Sequence, residues 1–218
     1  GENLVTRENL FLQTKFTYLP GQDHRLPYDP AADLPTQVAQ SMASSLEHLG
    51  TDYVDSFVLH GPSSGYGWTD ADAQVWTAML KERDAGRTRM LGVSNVSLRH
   101  LHQMTALHAE TPAFVQNRCF ARLGWDRDVR RFCSERNIRY QGFSLLTANP
   151  EVLRHPFVAS LAARENTTPA QVIFRFALAV GMLPLTGTSD PTHMKQDLAS
   201  ESLKLSEKEI QAIESLVG

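Results

Sequence analysis

Six short apolar runs, each passing into polar residues, alternate with helix-patterned stretches along this 218-residue chain. The runs are "LFLQT" (10–14), "VDSFVLH" (54–60), "MLGVS" (90–94), "AFVQN" (113–117), "YQGFSLL" (140–146) and "MLPLTG" (182–187). A continuous apolar run bounded by turn residues is the pattern of a strand buried on both faces, as in parallel sheets. The stretches between them carry helix punctuation. "DLPTQVAQSMASSLEHLG" has Pro35 in its first turn and Gly50 just past its end, positions where those residues are favoured. Thr69 and Asp72 have capping-box spacing ahead of a helix that closes at Gly86, and Ser206 and Glu209 repeat the spacing. Thr168 precedes Pro169 in a helix that stops at Gly181, and another helix starts at Asp190–Pro191. Strand–helix alternation of this kind predicts an α/β fold with a parallel sheet.

The polar residues choose between an open sheet and a closed one. Lys15 follows the first run and His60 ends the second. Ser94 and Asn95 close the third, Gln116 and Asn117 the fourth, Ser144 the fifth, and Thr186 to Thr188 the sixth. In a (β/α) barrel all these carboxyl ends converge on one face, where such enzymes place their sites. A doubly wound sheet gathers its ligand groups at one switch point, and no G-x-G-x-x-G follows the first run. The expected fold is an α/β TIM barrel forming a single, partial domain over residues 1–218. Only six units are visible where a barrel has eight. The opening "GENLVTRENL" reads as the tail of a helix and loop. The expectation is therefore that about two N-terminal strand–helix units are not in this sequence.

Composition narrows the partners. The net charge of −3 offers no basic footprint for nucleic acid or an anionic membrane. No apolar run reaches bilayer-spanning length, and no basic-then-apolar leader is seen, so a cytoplasmic protein is expected. Cys119 and Cys133 are too few for a disulfide framework and lack metal-ligand spacing, which predicts reduced core thiols. His48, His100, His102 and His108 are read as surface or core residues of helices. His102 and His108, six apart, do not share a helix face, so no metal site is expected.

Four segments in order, "ENLFLQTKF", "LGTDYVDSFVLHGP", "DAGRTRMLGVSNVS" and "PAFVQNRCF", give the chain a marked resemblance to the aldo-keto reductases. Two weaker ones follow, "YQGFSLLTANP" and "LPLTGTSDPTHMKQDL", so the resemblance covers essentially the whole chain. It implies a (β/α) barrel and hydride transfer between a nicotinamide dinucleotide, usually NADP(H), and a small-molecule aldehyde or ketone. It also implies a catalytic Asp, Tyr, Lys and His. Lys15 matches the lysine and His60 the histidine. The Asp and Tyr belong to an N-terminal strand–helix region that nothing here matches.

The chemistry of that group is coherent. The carbonyl oxygen gains negative charge as hydride arrives and needs a proton donor with a suitable pKa. A tyrosine becomes acidic enough beside an ammonium, and a histidine steadies the oxyanion with a hydrogen bond. Taken singly, Lys15 reads as a solvated strand-end charge and His60 as a satisfied polar residue. Their occurrence at successive strand ends favours a site. Tyr18, Tyr28 and Tyr66 fall in loops near these residues, and recruitment of one as a substitute acid stays open. Tyr53 reads as packing. The loops at 17–30 and 61–68 are expected to border the substrate, with Trp68 either walling the pocket or packing on the next helix.

For the cofactor, Ser94, Asn95 and Gln116 match the residues that hydrogen-bond the nicotinamide carboxamide. Phe143 stands where the family usually has a tyrosine stacked on the nicotinamide ring; the alternative is a core aromatic. Ser144 and Leu146 would line the pyrophosphate path. Thr186, Gly187 and Thr188 lead into a helix N-terminus, a natural anion site. Gly187 and His193 occupy the approximate positions of a Lys and an Arg that many members place against a 2′-phosphate, with Lys195 nearby but offset. The expected cofactor is thus NADP, with NAD also possible. Gln196 and Asp197 match adenine contacts. Two other readings remain at this point: a non-catalytic nucleotide-binding barrel, or a Schiff-base lyase or aldolase using Lys15. A monomer or a homodimer is expected.

Overall fold

The computed structural model describes residues 5–217. Strands and helices alternate through β5, three helices then precede β6, and the strands follow chain order, with β1–β2, β2–β3 and β5–β6 paired in parallel. The chain divides into two compact units, Gly1–Val115 and Gln116–Gly218.

The first unit holds β1 (Gln13–Phe16), α1 (Leu34–Leu49), β2 (Val54–Leu59), α2 (Asp70–Asp84), β3 (Thr88–Ser94) and α3 (Leu98–Leu107). β1 pairs with β2 in the register Lys15↔Val58, and β2 with β3 in the register Val58↔Gly92. Every residue of β2 is buried, as its continuous apolar run requires. Gly92 is needed for close approach: a Cβ there would lie 3.0 Å from the Phe114 carbonyl oxygen and 3.1 Å from Val58 Cγ2. The helices lay Val38, Met42, Val75, Trp76, Met79, Leu101 and Met104 into a core shared with Phe16, Phe57 and Leu59, all of them fully buried. Each such side chain contributes roughly 1.5–3 kcal/mol by leaving water.

Local chemistry sets the helix ends. Asp33 accepts the Thr36 N–H at the start of α1, and Gly50 ends it in the left-handed region at φ 63°. Thr69 and Asp72 form the expected capping box on α2. On α3 the box is unconventional: Ser97 caps it and the imidazole of His100 returns the bond to the Ser97 N–H at 3.0 Å.

β4 (Phe114–Arg118) begins in the first unit and ends in the second. The second unit continues with α4 (Arg127–Ser134), β5 (Arg139–Phe143), α5 (Pro150–Leu153), α6 (Pro156–Arg164), α7 (Pro169–Ala179), β6 (Met182–Pro184), α8 (Pro191–Ala199) and α9 (Glu207–Glu214). β5 pairs with β6 in the register Tyr140↔Met182. Trp125 packs on Phe176 with ring centroids 4.9 Å apart. Asn149, fully buried, accepts the Ala121 N–H and donates to the Cys119 and Leu145 carbonyls, tying the turns after β4 and β5 together. Glu214 of α9 holds Arg127 and Arg130, and Glu209 holds Arg164.

Strand boundaries differ from the sequence reading by one or two residues at β2, β3 and β4 and more consequentially at β1, β5 and β6. β1 covers 13–16 rather than 10–14, so Lys15 lies within the strand and not after it. Leu10 and Phe11, the apolar start of that run, are 43% and 53% exposed and outside the ladder. β5 stops at Phe143, because Ser144 takes φ 57° and turns the chain. β6 stops at Pro184, one residue before Leu185, whose N–H still donates to the Gly142 carbonyl at 2.8 Å. His108 is not helical; it lies one residue past α3. Cys119 and Cys133 are buried free thiols, and burial pushes both up to about 12. Among the described residues, no helix is long and apolar enough to cross a membrane.

Candidate active site

In the first unit, Lys15 sits third in β1, half-buried, and His60 follows the last residue of the neighbouring β2. The two are close enough for the Lys15 charge to act on the imidazole. The Lys15 side chain makes no hydrogen bond or ion pair with any described residue. Burial holds its ammonium pKa below the usual lysine range. His60 is likewise lowered, first by partial burial and then by Lys15.

Neighbouring loops hold His60 in place. Its Nδ1 lies 3.0 Å from Thr17 Oγ1, and its carbonyl accepts the Asn95 side-chain amide at 2.7 Å. Asn95 is in the left-handed region at φ 55°, a conformation asparagine tolerates. The same amide reaches the Oγ of buried Ser94 at 3.2 Å. A pocket of about 280 Å³ opens here, lined by Thr17, Tyr18, His60, Gly61, Ser63 and Asn95 among others.

The loop tyrosines are placed differently from one another. The Tyr18 hydroxyl donates to Asp72 Oδ1 at 2.8 Å, and burial together with the Asp72 charge drives its pKa far up. The Tyr28 hydroxyl donates to the Thr17 carbonyl at 2.7 Å. Neither phenol is a free acid, which removes two of the recruitment candidates. Tyr66 is 85% exposed. Trp68 is buried edge-on against His108, centroids 6.3 Å apart, so it packs behind the loop and does not wall the pocket. Tyr53 is packing, as expected, between Arg7 and Arg89.

The remaining expected cofactor residues lie in the second unit. Gln116 is buried and donates to Gln141 Oε1 at 2.9 Å. Phe143 is half-buried, with the Arg118 guanidinium 5.8 Å from its ring centre. Ser144, Leu146, Thr186 and Gly187 come together around a pocket of about 230 Å³. A Cβ at Gly187 would meet nothing within 4 Å, so its backbone stands open. The Thr186 hydroxyl donates to Asp197 at 2.9 Å, and Thr188 Oγ1 accepts the Asp190 N–H at 3.1 Å. Asp190 caps α8 through the Thr192 N–H, and exposed His193 lies 4.0 Å from its carboxylate. Thr188, His193, Gln196 and Asp197 do not line that pocket. Sequence reasoning did not single out Thr17, Gln141 or the second role of Asp72; all three contacts join residues distant in sequence, which spacing does not signal.

Parallel strands alternating with helices, and a lysine and histidine on adjacent strands at their carboxyl side, define a barrel-type α/β enzyme fold. The chain belongs to the aldo/keto reductase family, which residues 1–149 and 153–217 match. It is 32% identical over 213 residues to an aldo-keto reductase from Mycolicibacterium vanbaalenii, covering 97% of this chain and 70% of that one. It is 27% identical over 213 residues to the 2,5-diketo-D-gluconic acid reductase B of a Corynebacterium species, covering 97% of this chain and 71% of that one. The crystal structure of MGS-M4, an aldo-keto reductase from a Medee basin deep-sea metagenome library, matches with a TM-score of 0.83 at 20% identity, over 98% of this chain and 73% of that one. An aldo/keto reductase structure from Brucella melitensis matches with a TM-score of 0.81 at 24% identity, over 99% and 75%. At these identities the two structures establish the fold. Family membership supports an oxidoreductase acting on a small-molecule carbonyl.

Proposed function

We propose that this chain reduces an aldehyde or ketone with NADPH, with NADH as the alternative donor, and that Lys15 and His60 stand beside the reacting oxygen. A bound nicotinamide dinucleotide would supply the hydride, and the proton that completes the alcohol would pass from solvent through the Lys15–His60 pair. The observation that carries the reading is the half-buried Lys15 charge beside His60, which no described residue compensates. Negative charge developing on the carbonyl oxygen meets that positive field in a partly desolvated place, where charge acts more strongly than in water. When the Thr17 hydroxyl donates to His60 Nδ1, the other ring nitrogen carries the proton and donates to the oxygen. The resemblance assigns Ser94, Asn95 and Gln116 to the carboxamide, Phe143 to the ring face, and Ser144, Leu146, Thr186, Gly187 and Thr188 to the phosphates. Open backbone at Gly187 and the Ser144 and Thr147 hydroxyls around the 230 Å³ pocket are a donor set that suits a phosphate. His193, Gln196 and Asp197 would border the adenosine. A cytoplasmic monomer or homodimer fits this role.

Mixing the 218-residue chain with NADPH, then NADH, should quench or shift the nicotinamide fluorescence, and adding a carbonyl should deplete absorbance at the reduced nicotinamide band. No fluorescence change with either dinucleotide would sink the reading. A second reading has one observation in its favour: a desolvated lysine without a carboxylate partner is a candidate amine nucleophile. Borohydride trapping of an aldehyde on Lys15, absent in Lys15→Met, would select it.

A further inference from the structure

The carboxylate of Asp72 is more than a helix cap. Asp72 is fully buried, and burying an ionised carboxylate is costly unless all its acceptor sites are used. Its two oxygens are divided between two tasks. Oδ2 accepts the Thr69 N–H and the Thr69 hydroxyl, each at 2.9 Å, completing the capping box of α2. Oδ1 accepts the Tyr18 hydroxyl at 2.8 Å and the Ser63 N–H at 2.7 Å. The box at Ser206 and Glu209 differs: Glu209 stays partly exposed, bonds the cap through Oε2 and turns to Arg164. Capping alone does not require burial.

The Oδ1 bonds reach the two loops that wall the 280 Å³ pocket. Tyr18 belongs to the loop after β1 and Ser63 to the loop after β2; both line the pocket. Tyr18 is also next in sequence to Thr17, whose hydroxyl lies 3.0 Å from His60 Nδ1. The Thr17 carbonyl is held separately by Gln22 and by the Tyr28 hydroxyl. A short line of contacts therefore joins Asp72, Tyr18, Thr17 and His60, while a second bond fixes the opposite wall at Ser63.

We propose that Asp72 is a positioning residue that sets the orientation of His60 and the width of the carbonyl pocket by clamping both loops to the N-terminus of α2. The claim deepens the reductase reading and rests on it only for its kinetic consequence. Thr17 is the orienter of the imidazole in this scheme; Asp72 and Tyr18 act through it. Lys15 on β1 is the charged group facing His60, and Asp72 the one facing Tyr18.

The test uses Tyr18→Phe, which removes one hydroxyl and keeps the ring against Phe16, with Asp72→Asn as the second variant should one of them fold poorly. Two readouts need no turnover. The His60 titration midpoint, followed by NMR, should rise by about half a pH unit as the loosened loop lets water in. Amide exchange at Ser63 and across 17–28 should quicken about tenfold, while the interior of α2 at 75–82 stays protected. In turnover, the carbonyl KM should rise about fivefold as the pocket loosens, and kcat should fall about threefold as His60 loses its fixed orientation. Thr17→Val should reproduce the His60 shift without the exchange at Ser63. An unmoved His60 midpoint with wild-type exchange in Tyr18→Phe would overturn the proposal. A moved midpoint in a chain that reduces no carbonyl would keep the clamp and discard the reductase reading.

Discussion

The two ends of β2 treat charge in opposite ways. Near its start, Asp55 is buried within a complete set of partners: Arg7 at 2.9 Å, Arg89 at 3.3 Å and the Leu12 N–H at 2.9 Å. The two guanidiniums also stack on the Tyr53 ring, 4.0 and 4.3 Å from its centre. Past its end, His60 faces Lys15, and Lys15 has no counter-charge among the described residues. The same strand thus carries one site where burial and pairing balance and one where they do not. Uncompensated charge in a folded protein destabilises it, and such a group persists where a ligand makes use of it. The comparison separates the residues that hold this unit together from those that act.

The largest expected effect falls on the uncompensated end. Lys15→Met should cut carbonyl turnover about 100-fold, or about 2.7 kcal/mol of transition-state stabilisation, measured as nicotinamide oxidation. It should leave the unfolding midpoint unchanged or raise it, because a desolvated charge is removed and no bond is lost. A clear fall in melting temperature would place Lys15 among the structural charges and erase the contrast.

Asp55→Ala probes the other end. Two guanidiniums and an N–H lose their acceptor, at a cost of about 2 kcal/mol, or about 6 °C in melting temperature for a chain of this size. Turnover per folded molecule should stay within twofold. Loss of activity beyond the loss of fold would show that the two ends of β2 are coupled.

The pH dependence sharpens the same division. Burial alone would raise Asp55, but the Leu12 N–H and the Arg7 and Arg89 charges outweigh it and the pKa is lowered. Its stabilisation is therefore present above the ordinary carboxylate pKa of 3.8 and is lost as pH falls through the lower folded value. Lys15 is lowered as well, from 10.5, so the unfolded chain holds its proton more tightly. Below the folded pKa the protonated amine carries its desolvation cost in full; that cost falls away as pH rises toward 10.5. Denaturant titrations should show wild type losing stability relative to Asp55→Asn in acid no longer than Asp55 stays ionised, and gaining on Lys15→Met in alkali.

What the sequence reveals follows the same line between local and distant interactions. The boxes at Thr69–Asp72 and Ser206–Glu209 form as spaced, because donor and acceptor are three residues apart, and Thr168 caps its helix as read while also forming a box with Gln171. β2, β3 and β4 are legible because their apolar runs are buried. β1 is misplaced by three residues, since Leu10 and Phe11 are apolar yet exposed, and the ladder begins instead with Gln13, whose amide donates to Ser56 Oγ at 3.0 Å. Lys15 and His60 are legible as polar groups closing successive apolar runs, the resemblance gives them roles, and their proximity is a property of the β1–β2 register. The Tyr18–Asp72 bond spans 54 positions; no spacing rule signals it, and it removes Tyr18 from the acids that loop position alone allowed.

The smallest effect tests how the Asp55 cluster divides its work. Arg7 is 20% exposed and donates to the Leu10 and Tyr53 carbonyls and to Thr51 as well as to Asp55. Arg89 is 57% exposed and reaches Asp55 at 3.3 Å, the geometry of a solvent-screened pair. Arg89→Ala should cost about 0.5 kcal/mol, and less in high salt. Arg7→Ala should cost several times that with little salt dependence, since it strips carbonyl acceptors as well as the carboxylate. Equal losses, equally screened, would mean that Asp55 is balanced by surface charge alone, and the start of β2 would then be as dependent on solvent as its end.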